Sequence, residues 1–363
     1  MSGQGDIKLY RPVVVGLLAV VLSTVFAVRS LSAADWDPTL FTAFGEEATP
    51  TRQYAEERLG DVFLRPAQGH DGKFFFVQAN DPFVIDPDKH AQVLDRPLYR
   101  SQRMFYPILA GGGGALSPTA VVWGLLAVNL IAMGAGSSAV ALVAARMGMS
   151  PWWGLAAALN PGFISELNIS GAGVVAAAAA FGAVALFLYG RIGWAIALLT
   201  VAALSREAML IAAAGTAWWL WKHRREPRTA VLAFTVPLLA VGLWGLYLRL
   251  RIGWHFGASE VQEIGVPFAG FVQALRGWLA DPIDLAVGVA VMLLFVVYTR
   301  RALRSEHLVG WAFLGFVALG IVFTKQVWQS YFDITRAVAP VLTAFVLLLF
   351  APEREPQRTG VRR

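Results

Sequence analysis

The amino-acid sequence predicts an all-α protein with several membrane-spanning helices. Of its 363 residues, 57% are hydrophobic and only 15% are charged, whereas soluble domains carry about 25% charged residues. Apolar runs close to the ~20 residues that a helix needs to cross a bilayer recur along the whole chain. These runs are continuous rather than alternating in polarity, which disfavours a transmembrane barrel. The sequence therefore indicates a polytopic helical membrane protein.

The composition also excludes several kinds of site. The chain has no cysteine, so it has no disulfide, no thiolate metal site and no thiol nucleophile. Its formal net charge is +6, but the basic residues cluster at the ends of the apolar runs. That distribution is typical of positive-inside membrane topology rather than of nucleic-acid binding.

The first apolar run, residues 13–27, predicts a first span with the N-terminus in the cytoplasm, and a cleaved signal peptide is the alternative. Both interpretations place the long polar segment 35–104 on the outer side of the membrane. Four glycines at 111–114 indicate a flexible break. Pro118 suits the first turn of a helix that runs to about Arg146.

Within the polar segment, residues 51–59 have helical character and are expected on the membrane surface. Three phenylalanines at 74–76 are expected at the membrane interface. Arg100 and Arg103 are three residues apart, so on a helix they would share a face. Two interpretations of this pair stay open, phosphate binding and anchoring near lipid headgroups.

Two later apolar stretches carry polar residues near their middle. Residues 151–191 contain one internal charge, Glu166, and residues 192–222 are interrupted by Arg206 and Glu207. A straight helix over the second stretch would be ~46 Å long, which is too much for a ~30 Å hydrocarbon core. Each stretch is therefore interpreted as two short arms joined by a polar tip. Broken spans of this kind line cavities in membrane proteins.

The remaining apolar runs bring the count to about ten spans, with both termini in the cytoplasm. The predicted segments are a span at 229–248, an external loop at 249–267, a surface helix at 271–279, spans at 283–298 and 308–323, an external loop at 325–336 and a last span at 338–350. Residues 1–350 are interpreted as a single membrane domain and residues 351–363 as a basic cytoplasmic tail. The composition favours a bacterial cytoplasmic (inner) membrane.

With this topology, charged residues collect on the outer side of the membrane or within spans near that side. Charges at such depth are costly and usually face a cavity or a partner. The residues expected to bind substrate or catalyse are Asp71, Lys73, Asp81, Arg100, Arg103, Glu166, Arg206, Glu207, Lys325 and Arg336. A cavity with several cations and carboxylates suits a phosphate-bearing ligand and an acid/base reaction. The alternative is that Arg206 and Glu207 only pair with other polar groups and hold their hairpin.

Four short pieces of sequence support a more specific interpretation. They are His70-Asp71-Gly72-Lys73-Phe74-Phe75, the stretch 99–107, Leu204-Ser205-Arg206-Glu207 and the stretch 331–336. Together with a first span, a large external loop and broken spans, they resemble bacterial polytopic proteins of the glycosyltransferase C superfamily. The resemblance covers much of the chain in architecture, through short motifs.

The resemblance implies a fold, a donor and a base. Members of this superfamily take a sugar from a polyprenyl phosphate on the outer side of the membrane. An acidic residue in the first external loop is the catalytic base, and this role falls on Asp71. Many members have two adjacent acidic residues there, whereas Asp71 stands alone, so Asp81 is the alternative base, followed by Glu166 and Glu207. Arg206, with Arg103 or Arg336, would stabilise the leaving phosphate.

The implied partners are a polyprenyl-phosphate sugar lipid, an acceptor that is a glycan, a lipid or a protein, and the bilayer itself. Direct displacement would invert the anomeric centre. No cofactor is expected, and external aspartates would bind a divalent cation only weakly. Two other functions stay open, a transporter or lipid flippase, which also uses broken helices, and a non-catalytic membrane scaffold in envelope assembly.

Overall fold

The structure is a computed structural model that describes residues 10–253 and 264–352. It is almost entirely helical, apart from a two-stranded parallel sheet of β1 (Phe44–Gly45) and β2 (Leu64–Arg65). This confirms the all-α prediction. The helices up to the first long break in the described chain are, in order, α1 (Tyr10–Ser32), α2 (Pro50–Leu59), α3 (Gly72–Asn80), α4 (Pro87–Val93), α5 (Pro97–Arg100), α6 (Phe105–Ala110), α7 (Pro118–Arg146), α8 (Leu155–Ala158), α9 (Pro161–Asn168), α10 (Gly173–Leu188), α11 (Ile192–Ser205), α12 (Leu210–Trp219) and α13 (Pro227–Ile252).

Six further helices follow within residues 264–352. They are α14 (Ala269–Trp278), α15 (Pro282–Arg304), α16 (Leu308–Val322), α17 (Lys325–Trp328), α18 (Tyr331–Ala337) and α19 (Ala339–Phe350). The predicted surface helix at 271–279 corresponds to α14. Residues 254–263 of the predicted loop 249–267, which include Trp254, His255, Glu260 and Glu263, lie outside the described residues, as does the predicted tail from residue 353 onward.

Four helices of the described residues, α1, α7, α13 and α15, are long and apolar enough to cross a membrane. The pair α18 and α19 passes the same test together, although it is bent by 70° at the break between the two helices. Other apolar helices, α10, α11 and α16, are shorter. The structure therefore confirms a protein with helices that can span a membrane, and the count of ten spans stays a prediction.

Helix α7 lies at the centre of the bundle, between α1 and α10. It approaches α1 closely because both helices have glycine at the contact. A Cβ atom on Gly16 would lie 2.1 Å from the Oγ atom of Ser138, and a Cβ atom on Gly134 would lie 3.0 Å from the carbonyl oxygen of Gly16. Small residues at such contacts allow membrane helices to pack through their backbones.

The predicted hairpin at 192–222 is present as α11 and α12. The backbone is extended at Arg206, which separates the two arms. Leu188, at the end of α10, and Trp219, at the end of α12, line the same small cavity, so both arms return to one end of the molecule. The fourteen residues of α11 make a helix only ~21 Å long, which is shorter than a ~30 Å hydrocarbon core.

The first arm of the stretch 151–191 is not one straight helix. It consists of a 3₁₀ turn at Pro151–Gly154 and the two short helices α8 and α9. The break falls at Asn160, whose side-chain oxygen accepts a hydrogen bond from the amide of Gly162 at 2.9 Å. Pro161 then begins α9, because a proline has no amide to contribute to a preceding helix.

Two predictions about polar segments are wrong. The phenylalanines at 74–76 do not lie at the membrane interface but are 6%, 2% and 0% exposed, because α3 is packed between the rest of segment 35–104 and the helices α6 and α7. Phe76 contacts Phe44 edge to face, with ring centroids 5.7 Å apart. Residues 325–336 are not a loop, since they form α17 and α18 with Trp328 and Ile334 fully buried.

The bundle has two ends that differ in charge. One end, here called the basic end, has the last residue of α7, Arg146, and the turn after α12 with Lys222, Arg224 and Arg225. The other end, here called the large-cavity end, has the start of α12 and the end of α16, and segment 35–104 packs over it.

Candidate functional site

The large-cavity end encloses a cavity of about 870 Å³. Six basic residues and four carboxylates line one part of it, namely Lys73, Arg96, Arg100, Arg103, Arg206, Arg336, Asp71, Asp95, Glu207 and Asp333. Apolar side chains from α12 and α16 line the other part, including Leu210, Ile211, Leu319 and Phe323. The cavity therefore has a charged part with excess positive charge and an adjoining apolar part.

Asp71 lies at the N-terminus of α3, but its side chain does not cap that helix. Its two carboxylate oxygens instead accept hydrogen bonds from Arg100 at 3.0 Å and from Arg336 at 2.9 Å. Gly72 allows this turn to pack closely on the bundle. A Cβ atom there would lie 2.3 Å from the carbonyl oxygen of Ile169 and 2.7 Å from that of Thr42. Glycine at residue 72 thus fixes the position of Asp71.

Burial alone would raise the pKa of Asp71, but the positive charges of Arg336, Arg100 and Arg103 have a larger combined effect in the opposite direction. The pKa of Asp71 therefore lies well below its ordinary value. Asp71 is a carboxylate at any physiological pH. While both ion pairs are present, it is also a weak base.

Arg100 and Arg103 both line the cavity, but they do not share a helix face. Helix α5 ends at Arg100, and the two side chains pair with different carboxylates. Arg100 donates two hydrogen bonds to Asp95, both 3.0 Å long, and its guanidinium lies 3.8 Å from the ring centroid of Phe74. Arg103 donates to both oxygens of Glu207 at 3.2 Å. These bidentate pairs hold both guanidinium groups at the cavity wall.

Glu166 lies behind the cavity wall and is 2% exposed. Its Oε1 atom is 3.5 Å from Arg206 and 3.4 Å from Arg336, and its Oε2 atom accepts a hydrogen bond from the amide of Gly173 at 3.1 Å. A Cβ atom on Gly171 would overlap this carboxylate. Glu166 thus orients two arginines of the site and does not itself line the cavity.

Arg336 joins the parts of the charged cluster. Its guanidinium contacts Asp71, Glu166 and Asp333, the last at 3.3 Å. Arg336 lies on α18, whose axis makes an angle of 70° with that of α19. The bend turns this end of the pair toward segment 35–104, so residues 265 positions apart in the sequence meet in one ion pair.

Lys73 differs from the arginines in its surroundings. It is 6% exposed, its ammonium group donates to the carbonyl oxygen of Gln68, and it lies 4.9 Å from the ring centroid of Phe74. Among the described residues, no carboxylate oxygen is recorded within 4.0 Å of it. Burial lowers the pKa of Lys73, with a smaller opposite effect from Asp95. A ligand anion in the cavity would supply the negative charge that this cation lacks.

Besides Glu166, two of the predicted site residues do not line the cavity. The carboxylate of Asp81 accepts hydrogen bonds from the amides of Ile85 at 2.8 Å and Asp86 at 3.1 Å, so it holds the turn after α3. Lys325 begins α17 and is exposed. The other predicted residues are brought together: Asp71, Lys73, Arg100, Arg103, Arg206, Glu207 and Arg336 line the cavity, and Glu166 contacts two of them.

Sequence reasoning missed three features of the site. Asp95 holds Arg100, and the hydroxyl group of Tyr99 accepts a hydrogen bond from Arg103 at 2.8 Å. The apolar wall from α12 and α16 was also missed. Asp95 is one of several acidic residues in segment 35–104, and only its spacing of five residues from Arg100 could have singled it out.

Within residues 10–253 and 264–352, no group of three or more histidine, aspartate or glutamate side chains has an arrangement that could hold a metal ion. No protein-family model, curated protein or solved structure matches the chain. The chemistry of the cavity is therefore the basis on which a function can be proposed.

Proposed function

We propose that the protein is a membrane glycosyltransferase that takes a sugar from a polyprenyl-phosphate-linked donor. The observation that carries this proposal is the large cavity, in which a charged part with excess positive charge adjoins an apolar part. A lipid-linked sugar phosphate has the same two parts, an anionic head and an apolar chain. A cavity of about 870 Å³ that offers both kinds of lining suits such a ligand.

The proposal extends to the fold. In the proposed topology, ten apolar segments cross between the basic end and the large-cavity end, with α8 and α9 counted as one crossing and α18 and α19 as another. The other eight are α1, α7, α10, α11, α12, α13, α15 and α16. With α1 beginning and α19 ending at the basic end, we propose a fold of the glycosyltransferase C type. The basic end is then cytoplasmic, and the cavity faces the outer side of a bacterial cytoplasmic membrane.

In this proposal the donor phosphate binds among Lys73, Arg100 and Arg336, and the polyprenyl chain lies along Leu210 and Leu319. Lys73 offers a cation without a carboxylate partner among the described residues. Arginine is suited to phosphate because its planar fork donates two parallel hydrogen bonds. Glu207 keeps Arg103 in place through its bidentate contact.

The reaction is a direct displacement at the anomeric carbon. The acceptor hydroxyl gives its proton to a carboxylate oxygen of Asp71, and the acceptor oxygen forms a bond to the anomeric carbon. The bond between that carbon and the phosphate oxygen breaks, and polyprenyl phosphate leaves with the electron pair. Arg336 and Arg206 stabilise the negative charge on the leaving phosphate. The configuration at the anomeric carbon inverts.

The ion pairs of Asp71 link donor binding to base strength. Arg100 and Arg336 hold the pKa of Asp71 well below its ordinary value in the free protein. A donor phosphate competes with Asp71 for the same guanidinium groups. When they turn toward the phosphate, the pKa of Asp71 rises and the carboxylate becomes a stronger base. The base is thus activated only when the donor is bound.

A lipid transporter or flippase is the second candidate, because cavities lie at both ends of α12 and α16. Transport would require a path between them. The segment of these helices between the cavities is filled by small and aromatic side chains, including Ala212, Ala213, Phe313 and Phe316, all of which are buried. A transferase needs no such path.

The test is transfer of radiolabelled sugar from polyprenyl-phosphate-linked donors in proteoliposomes that contain the full chain. We expect transfer by the wild type and loss of at least a hundredfold in Asp71→Asn, the size of a general-base contribution of about 10²–10⁴. Asp61→Asn is the matched control, because Asp61 is an exposed carboxylate of the same segment. Movement of the intact donor across the bilayer without sugar transfer would replace the transferase by the transporter. Neither activity with any donor would refute both.

A further inference from the structure

A second cavity of about 310 Å³ lies at the basic end of the bundle, and the proposed transferase reaction does not use it. It is on the far side of the helices that line the large cavity, since Trp219 at the end of α12 and Leu308 at the start of α16 both face it. Its wall also contains Arg146, His223, Arg224, Glu306 and His307. A polar cavity of this kind inside a helical bundle requires an explanation.

The two arginines of this cavity are held by aromatic rings rather than by carboxylates. The guanidinium of Arg146 lies 4.1 Å from the ring centroid of Tyr189, and that of Arg224 lies 5.5 Å from the ring of Trp219. Among the described residues, no carboxylate oxygen is recorded within 4.0 Å of either group. Ring contacts orient a guanidinium group but leave its positive charge uncompensated.

Two nitrogen atoms in this wall are buried without a hydrogen-bond partner in the described structure. They are the Nε atom of Arg146 and the Nε2 atom of His223. The imidazole ring of His223 is packed near Trp219 and Trp311, with centroid distances of 6.0 Å and 5.5 Å. Buried polar groups nearly always have partners, and an orphaned one in a native structure often indicates a missing ion or ligand.

The backbone adds to the positive character of the cavity. Helix α16 begins at Leu308, and no side chain caps its first turn. Its N-terminal amides carry the positive end of the helix dipole. The residues Leu220–Arg224 form a π-helical turn that places His223 in the wall, and such turns often occur at functional sites.

Glu306 is the one carboxylate in the described cavity wall. Its side chain is exposed to solvent, and its carbonyl oxygen accepts a hydrogen bond from the indole nitrogen of Trp219 at 2.8 Å. The backbone of Glu306 therefore closes one side of the cavity. Against this single carboxylate, the described wall carries two guanidinium groups, that of Arg146, which is partly buried, and that of Arg224, which is exposed.

We propose that the small cavity binds a phosphate group, held by Arg146, Arg224, His223 and the first turn of α16. An anion there would pair the uncompensated guanidinium charges and satisfy the orphaned nitrogen atoms. The phosphate can belong to the headgroup of an anionic lipid or to a free phosphate ion. In either case the site is separate from the donor site, because it lies at the opposite end of α12 and α16.

The experiment uses the purified full chain in nanodiscs and two probes. Inorganic phosphate is titrated by calorimetry into nanodiscs of phosphatidylcholine, and retention of phosphatidic acid is measured by native mass spectrometry in nanodiscs that contain both lipids. Arg146→Gln removes one positive charge from the wall, and His223→Gln removes the imidazole ring with its unpaired nitrogen. Arg301→Gln is the control, because Arg301 is exposed at the same end and does not line the cavity.

We expect the wild type to bind one phosphate group saturably. Arg146→Gln should raise the Kd about tenfold, which corresponds to about 1.4 kcal/mol. His223→Gln should raise the Kd by less, and Arg301→Gln should leave it unchanged. Binding of both probes identifies a general phosphate site, and binding of phosphatidic acid alone identifies a lipid headgroup site. Equal losses in all three variants would reveal diffuse attraction to a basic surface and overturn the proposal. Absence of saturable binding by either probe would overturn it as well.

Discussion

The basic residues at the two ends of the bundle have different surroundings. At the large-cavity end, Arg100, Arg103 and Arg336 each contact at least one carboxylate at 3.3 Å or less. At the basic end, Arg146 and Arg224 contact aromatic rings and have no carboxylate within 4.0 Å among the described residues. The first arrangement is charge-compensated before any ligand binds, whereas the second is not.

This difference predicts two modes of anion binding. At the large-cavity end, a ligand phosphate must compete with carboxylates, so binding changes the protonation chemistry of Asp71. At the basic end, a phosphate would fill a position without a competing carboxylate, so binding would stabilise the protein without altering a base. The first mode suits catalysis, and the second suits a static anchor.

The largest expected effect comes from Arg336→Gln, which breaks the compensated network at its centre. Glu166, which is 2% exposed, would then keep only Arg206 as a charged partner. Breaking a buried ion pair from one side costs about 3–5 kcal/mol. We expect the free energy of unfolding to fall by about 3 kcal/mol, measured by denaturant titration in mixed micelles. Arg301→Gln, at the exposed surface of the basic end, should change it by less than about 0.5 kcal/mol. Equal effects of the two variants would refute the role of Arg336 as the central contact.

Gly72→Ala tests whether the close packing of segment 35–104 positions Asp71. The new Cβ atom would meet the carbonyl oxygens of Ile169 and Thr42 at 2.3 Å and 2.7 Å, so backbone must move. We expect a loss of about 2 kcal/mol in the free energy of unfolding, together with loss of sugar transfer. Gly193→Ala in α11 is the control, since nothing lies within 4 Å of its added Cβ atom. It should leave stability unchanged or raise it by up to about 1 kcal/mol. If Gly72→Ala retained sugar transfer, the position of Asp71 would not be needed for the reaction.

The pH dependence of the free energy of unfolding tests the ion pairs of Asp71. Burial opposes ionisation of Asp71, but Arg336 and Arg100 outweigh it and lower the pKa. A carboxylate with a lowered pKa in the folded state stabilises the protein above its unfolded pKa of about 3.9, and this contribution is lost as the pH falls through the lower, folded pKa. Asp71→Asn should therefore lower the free energy of unfolding by about 2 kcal/mol near neutral pH, and the difference from wild type should shrink in strong acid. Asp61→Asn should show no such trend, and a pH-independent difference for Asp71→Asn would contradict the ion pairs.

Lys73→Met has the smallest expected effect on stability and a specific effect on binding. Lys73 has no carboxylate partner among the described residues, so replacing its buried ammonium group leaves no carboxylate unpaired. We expect unchanged or higher stability and a Kd for polyprenyl phosphate raised about tenfold, from loss of one charged hydrogen bond. Lys89→Met is the control, because Lys89 is exposed outside the cavity. Unchanged affinity in Lys73→Met would remove Lys73 from the phosphate site.

Several parts of the site were predictable from the sequence because charge within an apolar run is rare. Glu166 and the pair Arg206 and Glu207 stand out for this reason, and the structure brings them to the same end as Asp71 and Arg336. The membrane topology allowed this prediction. Because the basic clusters mark one side of the membrane, the charges within the apolar runs were assigned to the opposite side. The helix at Pro118–Arg146 was predicted correctly from its proline and its length.

The pairing of the charges was not predictable. Arg336 reaches Asp71 across 265 residues of sequence, and no local pattern selects that partner over Asp81, which caps a turn instead. The phenylalanines at 74–76 were misplaced because composition cannot distinguish an aromatic group at the membrane interface from one in the hydrophobic core. Residues 325–336 were wrongly predicted to form a loop because they carry several polar side chains. In the structure these side chains form hydrogen bonds within the protein.

The proposed function requires that an anionic lipid binds in the large cavity by taking arginines from Asp71. The most direct measurement is a structure of the full chain with polyprenyl phosphate bound. We predict that the phosphate contacts Lys73, Arg100 and Arg336, that the guanidinium of Arg336 or Arg100 moves beyond hydrogen-bonding distance of Asp71, and that the apolar chain lies along Leu210 and Leu319. A bound phosphate elsewhere, with both ion pairs of Asp71 intact, would contradict competition between the donor phosphate and Asp71.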